Sequence, residues 1–167
     1  MGRTIAVANQ KGGVGKSTTA INLSACLAEQ GKKVLTIDMD PQGNTTSGLG
    51  VDKNAVEDTL YELLVGQSDV ENTIVKDVVE NLDLIPSNVN LSGAEIELVG
   101  IDNKEYILKE ITDKIKDNYD YIIIDCPPSL NMLTINALTA ATSVLVPIQC
   151  EYYALEGLSQ LIHTIDL

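Results

Sequence analysis

The sequence predicts an α/β fold in which helices cover both faces of a parallel sheet, the arrangement called doubly wound. Three observations support this prediction. Short apolar runs alternate with longer helical patterns, a glycine-rich loop joins the first run to the first helix, and three of the runs are closed by aspartate or proline. Such alternation is typical of βαβ units, whose strands are buried on both faces. Five parallel strands are expected, at residues 4–9, 33–38, 82–85, 121–125 and 143–148.

The length and composition are those of one globular domain spanning residues 1–167. Apolar residues make up 44% of the chain, and no apolar run approaches the ~20 residues of a membrane span. No signal-peptide pattern precedes the first strand, so we expect a cytoplasmic protein. Eleven basic and 24 acidic residues give a net charge of −13. A field of that sign repels DNA phosphates.

The cysteines carry no metal or redox pattern. Cys26, Cys126 and Cys150 lie far apart, their number is odd, and none belongs to a C-x-x-C pair. This spacing predicts reduced and mostly buried thiols, as in the cytoplasm.

The first forty residues form one βαβ unit. The strand at 4–9 is followed by the loop and by a helix at 16–30, with Gly31 placed as its C′ cap. The strand at 33–38 comes next, so the crossover is expected to be right-handed. The helix is apolar around most of its circumference and is expected to be buried.

The loop between the first strand and this helix has the composition of a phosphate-binding site. Its glycines let backbone N–H groups converge on a phosphate, and the helix N-terminus adds the positive end of its dipole. We therefore expect a nucleoside triphosphate, with Lys16 bridging its β- and γ-phosphates, Ser17 offering a hydroxyl to Mg²⁺ and Thr18 near the α-phosphate. The predicted binding residues are Lys11, Gly12, Gly13, Val14, Gly15, Lys16, Ser17 and Thr18.

Two further strands deliver carboxylates to the same edge of the sheet, because ligands bind outside the carboxyl ends of parallel strands. Asp38 and Asp40 lie at the end of the second strand, in the segment D-M-D-P-Q-G-N, and Asp125 ends the fourth. Asp125 is predicted to hold magnesium-bound water, and Asp38 to share that shell. From these residues alone, a simple Asp-Pro turn that ends the second strand is also possible.

The rest of the chain supplies helices without recognisable chemistry. Capping-box spacing between Ser92 and Glu95 predicts that one helix begins there. Residues 47–81 are the least informative part of the chain, and Ser68 begins a weak helical pattern there. Other helices are predicted at 59–65, 103–118 and 130–141, with a last one toward residue 167.

The glycine-rich loop departs from the usual G-x-x-x-x-G-K-[ST] pattern. It reads K-G-G-V-G-K-S-T, with Gln10 where the first glycine would stand and an added Lys11. This deviant Walker A loop resembles that of the ParA/MinD superfamily of P-loop ATPases. The D-x-D-P-Q-G-N and D-C-P-P segments are similar to its two switch segments. The sequences at 91–98 and 150–158 resemble the Soj branch of ParA, so the resemblance covers essentially the whole chain.

The resemblance implies the strand order 3-2-4-1-5 and the hydrolysis of ATP to ADP and phosphate with Mg²⁺. Asp40 is implied to orient the attacking water, and Lys11 to reach the phosphates of a partner subunit. Lys11, Lys16 and Asp40 are then the expected catalytic residues. Members of the superfamily are longer, which implies that this chain is the N-terminal two-thirds of such a protein, truncated on its C-terminal side.

The function implied by the resemblance is an ATP-dependent dimerisation switch in chromosome or plasmid segregation. The implied partners are a second copy of the protein, a ParB-like centromere-binding protein that stimulates hydrolysis, and nonspecific DNA at the nucleoid. The acidic charge argues against DNA binding by this chain alone.

Two other classes of protein stay open. One is a division-site positioning ATPase like MinD, which needs a C-terminal amphipathic membrane helix. The other is a metabolic ligase, a kinase or a nucleotide-binding module without a motor role. A nitrogenase-type iron–sulfur protein has the least support, because no cysteine pair is placed for a cluster.

Overall fold

A six-stranded sheet forms the centre of the protein, for which the computed structural model describes residues 2–8, 15–147 and 162–165. Its strands, in chain order, are β1 (Arg3–Val7), β2 (Val34–Asp38), β3 (Val75–Val79), β4 (Leu82–Ile85), β5 (Tyr121–Asp125) and β6 (Ser143–Leu145). The order across the sheet is β3-β4-β2-β5-β1-β6.

The five predicted strands are all present and mutually parallel. Without β3, the observed order is the predicted 3-2-4-1-5, so the prediction of the topology is confirmed. The β2–β5 register pairs Asp38 with Asp125, and the β1–β5 register pairs Val7 with the same aspartate. The three strand ends that precede the predicted site therefore meet at one edge.

The sixth strand, β3, was not predicted from the sequence. It pairs antiparallel with β4 at the edge of the sheet, which makes the sheet mixed rather than purely parallel. The strand is mostly exposed, and its pairing is irregular around Asp77, whose φ is 50°. A short edge strand that contains Lys76 and Asp77 has neither the alternation nor the apolar run by which strands are recognised.

Seven α-helices lie within residues 15–147, and residues 162–165, part of the predicted last helix, are also helical. They are α1 (Lys16–Glu29), α2 (Asn44–Gly48), α3 (Leu60–Leu64), α4 (Val70–Thr73), α5 (Ala94–Glu97), α6 (Ile107–Ile115) and α7 (Met132–Ala140). Short 3₁₀ turns lie at Val89–Gly93, Lys104–Tyr106 and Lys116–Asn118. Gly31 follows α1 with a φ of 84°, as expected of a C′ glycine. None of the described helices is long and apolar enough to cross a membrane.

Two expectations about α1 and the cysteines are corrected. The helix buries only one of its faces, and the thiol of Cys26 is exposed because it lies on the other side. Cys126 is buried as predicted, and Cys150 lies outside the described residues. Small apolar residues such as Ala25 occur on every side of α1 in the sequence, although part of the helix surface is exposed to solvent.

The predicted capping box at Ser92 is not formed. A 3₁₀ turn occupies that position, and α5 begins after Gly93 without a side-chain cap. Glu95 instead accepts a hydrogen bond from the backbone N–H of Leu133, at 3.1 Å, in the first turn of α7. A capping box does form at α3, between Thr59 and Glu62.

The core lies on both faces of the sheet, as a doubly wound fold requires. Alternate residues of each strand face opposite ways, so Ile123 packs with α1 on one face while Ile122 and Ile124 pack on the other. The second face is the larger and carries α3, α6 and α7. These two layers fix the loops at the carboxyl ends of the strands.

Candidate functional site

A cleft of about 450 Å³ opens at the carboxyl edge of the sheet. The loops that follow β1, β2 and β5 supply its walls. The predicted residues Lys11, Gly12, Gly13 and Val14 lie outside the described residues. The side chains and backbone that line the cleft belong to Gly15, Lys16, Ser17, Thr18, Asp40, Gln42, Asn44 and Pro128.

The N-terminus of α1 faces this cleft and is built to receive an anion. Gly15 is its N-cap, with a φ of 78° that side chains rarely adopt. A Cβ at this glycine would meet no atom of the described residues within 4 Å. No side chain caps the helix, and its first turn holds no acidic residue. Its first N–H groups and the positive end of its dipole are thus available to a phosphate.

Lys16 is folded inward onto two carboxylates. Its Nζ lies 2.5 Å from Oδ1 of Asp125 and 3.5 Å from Oδ2 of Asp40, and the lysine is only 7% exposed. The three predicted residues therefore meet at one point. One lysine thus faces two carboxylates, so the buried group keeps a formal negative charge.

Asp125 also receives two hydroxyl groups. Ser17 Oγ donates to its Oδ2 at 2.9 Å, and Thr45 Oγ1 donates to the same oxygen at 2.6 Å. The serine and the aspartate predicted to hold Mg²⁺ are thus in contact. These two groups offer the oxygen donors that Mg²⁺ prefers. Their small number suits this ion, because Mg²⁺ keeps several waters and binds through one or two protein groups plus phosphates. The described part of the chain has no cluster of three or more metal-binding side chains.

Asp38 holds the loop rather than lining the cleft. Its carboxylate accepts hydrogen bonds from the backbone N–H of Asp40 (3.1 Å), the backbone N–H of Thr46 (2.9 Å) and the hydroxyl of Thr46 (2.7 Å). Burial, and after it the charge of Asp125, raises the pKa of Asp38 to about 7, while these three hydrogen bonds act in the opposite direction. Its share in a metal shell stays a prediction.

The loop that carries Asp40 is anchored from β4. The carbonyl of Asp40 accepts the hydroxyl of Ser87 at 2.7 Å, and the backbone N–H of Ser87 donates to the hydroxyl of Thr46 at 3.0 Å. The carboxylate of Asp40 accepts the backbone N–H of Gln42 at 3.0 Å, which closes a turn. The position of Asp40 against Lys16 therefore depends on a buried serine from another strand.

Three residues of this network were missed in the sequence. Thr45 and Thr46 begin α2, and their hydroxyls reach two different aspartates. Ser87 follows β4 and its proline, so the rule that loops at carboxyl ends share one edge could have placed it near the site. No comparable signal marked the two threonines, because serine and threonine after a turn are common everywhere.

Cys126, next to Asp125, takes no chemical part in the site. It is fully buried, and burial, followed by the charge of Asp125, raises the pKa of its thiol. A thiol in such surroundings stays protonated and unreactive.

Comparison with known proteins identifies the family. A family model described as an AAA domain matches residues 2–167. The chain belongs to this AAA domain family. Within the family, the sequence is 61% identical to the sporulation initiation inhibitor protein Soj of Bacillus subtilis and 54% identical to the chromosome partitioning protein ParA of Myxococcus xanthus. Both alignments cover 100% of this chain, and the resemblance to ParA and Soj is confirmed.

The chain is shorter than these family members. It spans 66% of the length of the Bacillus protein and 59% of the Myxococcus protein. A solved structure with the same fold is that of cobyrinic acid a,c-diamide synthase from Mycobacterium smegmatis with bound ATP analog and magnesium. Its TM-score is 0.94 at 44% identity, over 99% of this chain and 68% of that one.

Proposed function

We propose that this chain is the ATP-binding and ATP-hydrolysing part of a switch protein of chromosome or plasmid partition. The observation that carries the proposal is the meeting of Lys16 with Asp40 and Asp125 beside the uncapped N-terminus of α1. Sequence and topology bring these groups from three separate strand ends to one cleft. The name of the Myxococcus relative, chromosome partitioning protein ParA, supplies the cellular process.

Different residues of the cleft bind different parts of ATP. The backbone of Lys11 to Gly15 and the first turn of α1 surround the phosphates, with Thr18 at the α-phosphate and Lys16 between the β- and γ-phosphates. Lys16 is held within the cleft, so it needs only to exchange carboxylate oxygens for phosphate oxygens. Ser17 and Asp125 are the residues that would hold Mg²⁺, with Asp38 behind them. The ion neutralises charge on the phosphates.

Hydrolysis needs a positioned water rather than a covalent intermediate. Asp40 is the carboxylate that orients this water, and its place in the lining of the cleft suits that role. Asp40 is fixed at its carbonyl by Ser87 and at its carboxylate by the turn to Gln42. The rate enhancement then comes from positioning and electrostatics.

The switch itself involves a second copy of the protein. Lys11 reaches the phosphates bound by the partner subunit, so that ATP joins two protomers and hydrolysis separates them. A ParB-like centromere-binding protein stimulates the hydrolysis, and nonspecific DNA is bound by the longer protein at the nucleoid. These partners rest on the family membership, because the chain spans less than two thirds of the length of the Bacillus and Myxococcus relatives.

The test compares two substitutions in the same cleft. We expect Lys16→Ala to abolish ATP binding, because it removes the cation that faces the phosphates. Asp40→Ala is expected to keep ATP binding within a few-fold of wild type and to lower turnover by on the order of 10²-fold or more, as removal of a positioned catalytic group does. Isothermal titration measures binding, and release of phosphate measures turnover.

Glu110→Ala, an exposed change on α6, is the control for both measurements. Full turnover by the Asp40 variant would reject the role of Asp40. Unchanged ATP affinity in the Lys16 variant would reject the site as a whole.

A metabolic ligase is the second candidate, because the structure described above carries the name of a synthase and is 44% identical. A ligase uses the cleavage of ATP to drive bond formation in a small-molecule substrate. Stimulation of ATP hydrolysis by a small carboxylic acid and an amine donor, with no effect of a centromere-binding protein, would favour this reading over the partition switch.

A further inference from the structure

A lysine outside the cleft, Lys53, is bonded to the loop that carries Asp40. Its Nζ donates a hydrogen bond to the carbonyl oxygen of Gln42 at 2.6 Å. Gln42 lines the cleft and precedes the lysine by eleven residues in the chain. A hydrogen bond from an ammonium group to a carbonyl is charge-assisted and stronger than one between neutral groups. The Lys53–Gln42 contact therefore closes residues 42–53 into a compact surface loop whose ends lie together.

The direction of Lys53 is set by the fold and not by the nearest charge. Lys53 is the only basic residue between positions 34 and 75, a stretch that holds eight acidic residues. Its ammonium group nevertheless meets a backbone carbonyl. The carboxylate of its neighbour Asp52 accepts the backbone N–H of Asn54 at 3.0 Å and closes a turn of its own. This turn presents Lys53 to the loop.

The stem of Lys53 packs across Gly43, which is a second observation independent of the hydrogen bond. Gly43 is the N-cap of α2, with a φ of 67° that side chains rarely adopt. A Cβ at this position would lie 2.9 Å from Cδ and 3.5 Å from Nζ of Lys53. A side chain at position 43 would thus displace the lysine. The methylene groups of Lys53 therefore occupy the space that the glycine leaves open.

The two residues that Lys53 contacts are the ones that hold Asp40. The backbone N–H of Gln42 donates to Oδ1 of Asp40 at 3.0 Å, and the backbone N–H of Gly43 donates to the carbonyl of Asp40 at 2.9 Å. Lys53 fixes the carbonyl of Gln42 and covers Gly43, so it restrains both donors. Ser87 anchors the same turn from the buried side. Lys53 anchors it from the solvent side.

We propose that Lys53 is a positioning residue for the hydrolysis of ATP, because it keeps the carboxylate of Asp40 directed at the attacking water. Lys53 is not among the described residues that line the cleft, so it acts through Gln42 and Gly43. A small displacement of a catalytic group far from the substituted residue is enough to slow the reaction. The effect of Lys53 on turnover rests on the proposed function, whereas the restraint on the loop does not.

Three substitutions separate the ammonium group of Lys53 from its stem. Lys53→Met removes the ammonium group and keeps most of the apolar stem over Gly43. Lys53→Arg keeps a charged donor. Lys114→Met is the matched control, because it makes the same change at an exposed lysine on α6. Lys53 is only half-buried, so all three variants are expected to fold, which their circular dichroism checks.

Turnover and ATP affinity are measured for each variant. We expect kcat of Lys53→Met to fall by about five- to tenfold, the effect of one lost hydrogen bond, with the Kd for ATP changed by less than about twofold. Lys53→Arg should retain at least about half of the wild-type kcat, since its guanidinium group can donate to the same carbonyl. Full turnover by Lys53→Met, an equal loss of affinity and kcat, or no recovery by Lys53→Arg would overturn the positioning role.

Hydrogen exchange without ATP tests the restraint on the loop by itself. The backbone amides of Gln42 and Gly43 are expected to exchange about fivefold faster or more in Lys53→Met than in wild type or Lys114→Met. The amides of β5 should keep their rates. Unchanged exchange at 42 and 43, or an equal acceleration in β5, would overturn the inference. Faster exchange at 42 and 43 in a protein whose wild type hydrolyses no ATP would refute the proposed function alone.

Discussion

At the scale of single residues, the site is a buried charge network that is already satisfied without nucleotide. Asp125 has no exposure to solvent and accepts bonds from Lys16, Ser17 and Thr45. Removing one member of such a network leaves a buried charge without a partner, which costs more than the pair itself contributes. In the proposed binding of ATP, Lys16 would exchange Asp125 for a phosphate. The hydroxyl groups of Ser17 and Thr45 are the other donors to Asp125.

The pKa of Asp38 predicts a pH dependence of stability in the protein without nucleotide or metal. Burial and the charge of Asp125 raise this pKa from the ordinary 3.8 of an aspartate to about 7. A carboxyl whose pKa is higher in the folded state stabilises that state fully at pH values below its unfolded-state pKa. This stabilisation is lost as the pH rises through its folded-state pKa. We expect the free energy of unfolding to fall between pH 5 and pH 8 by up to about 3 kcal/mol on account of this group.

The comparison of wild type with Asp38→Asn isolates this contribution, because other titrating groups are common to both. Urea unfolding at several pH values gives the two curves. The free energy of unfolding of wild type minus that of the variant should rise by up to about 3 kcal/mol as pH falls from 8 to 5, since the asparagine cannot ionise. Two parallel curves would show that Asp38 keeps an ordinary pKa in the folded protein.

At the scale of elements, the sequence predicted five strands and missed β3, an exposed edge strand without an apolar run. β2 and β5 are runs of apolar residues closed by aspartate, so both their type and their edge could be inferred. β3 is an exposed edge strand and α2 a single turn of polar residues, and each is specified by its neighbours rather than by its own pattern. The same distinction explains which residues of the candidate site could be predicted from the sequence. Asp40 and Asp125 follow from strand ends, while the hydroxyl groups that position them depend on contacts across the fold.

Ser87 is the residue whose role depends most on such a contact, and its substitution is expected to separate binding from catalysis. Ser87→Ala removes the bond to the carbonyl of Asp40 and leaves the carboxylate in place. Because Ser87 positions Asp40 without facing the cleft, we expect kcat to fall by about tenfold, the effect of a lost hydrogen bond of roughly 1–1.5 kcal/mol. The affinity for ATP is expected to change less than threefold.

Ser92→Ala, on the exposed side of the same segment, is the matched control and should leave both constants unchanged. Restoration of kcat by Ser87→Thr, which keeps the hydroxyl, would support a positioning role. A parallel loss of ATP affinity and kcat in the alanine variant would instead show that Ser87 acts by holding the whole cleft together.

At the scale of the whole molecule, the proposed phosphate site is a local feature of a negatively charged protein. The net charge is −13, and Lys16 and the N-terminus of α1 lie in a cleft that Asp40 also lines, with Asp125 in contact with the lysine. A phosphate can meet the lysine and the helix N-terminus only at short range, within the cleft. A long polyanion has no such local partner over most of its length. The fold therefore accommodates a nucleotide more readily than a nucleic acid.

This difference predicts the behaviour of the 167-residue chain toward DNA. We expect the anisotropy of a labelled duplex of arbitrary sequence to stay unchanged at protein concentrations up to on the order of 100 µM in physiological salt, the weak limit of nonspecific binding. Lowering the salt should not produce binding, because the reduced screening strengthens the repulsion between the acidic surface and the phosphates. Proteins that contact phosphates through lysine and arginine behave in the opposite way, since their affinity rises steeply as salt is removed. Saturable binding that strengthens at low salt would therefore show that the chain presents a local basic surface that its net charge conceals.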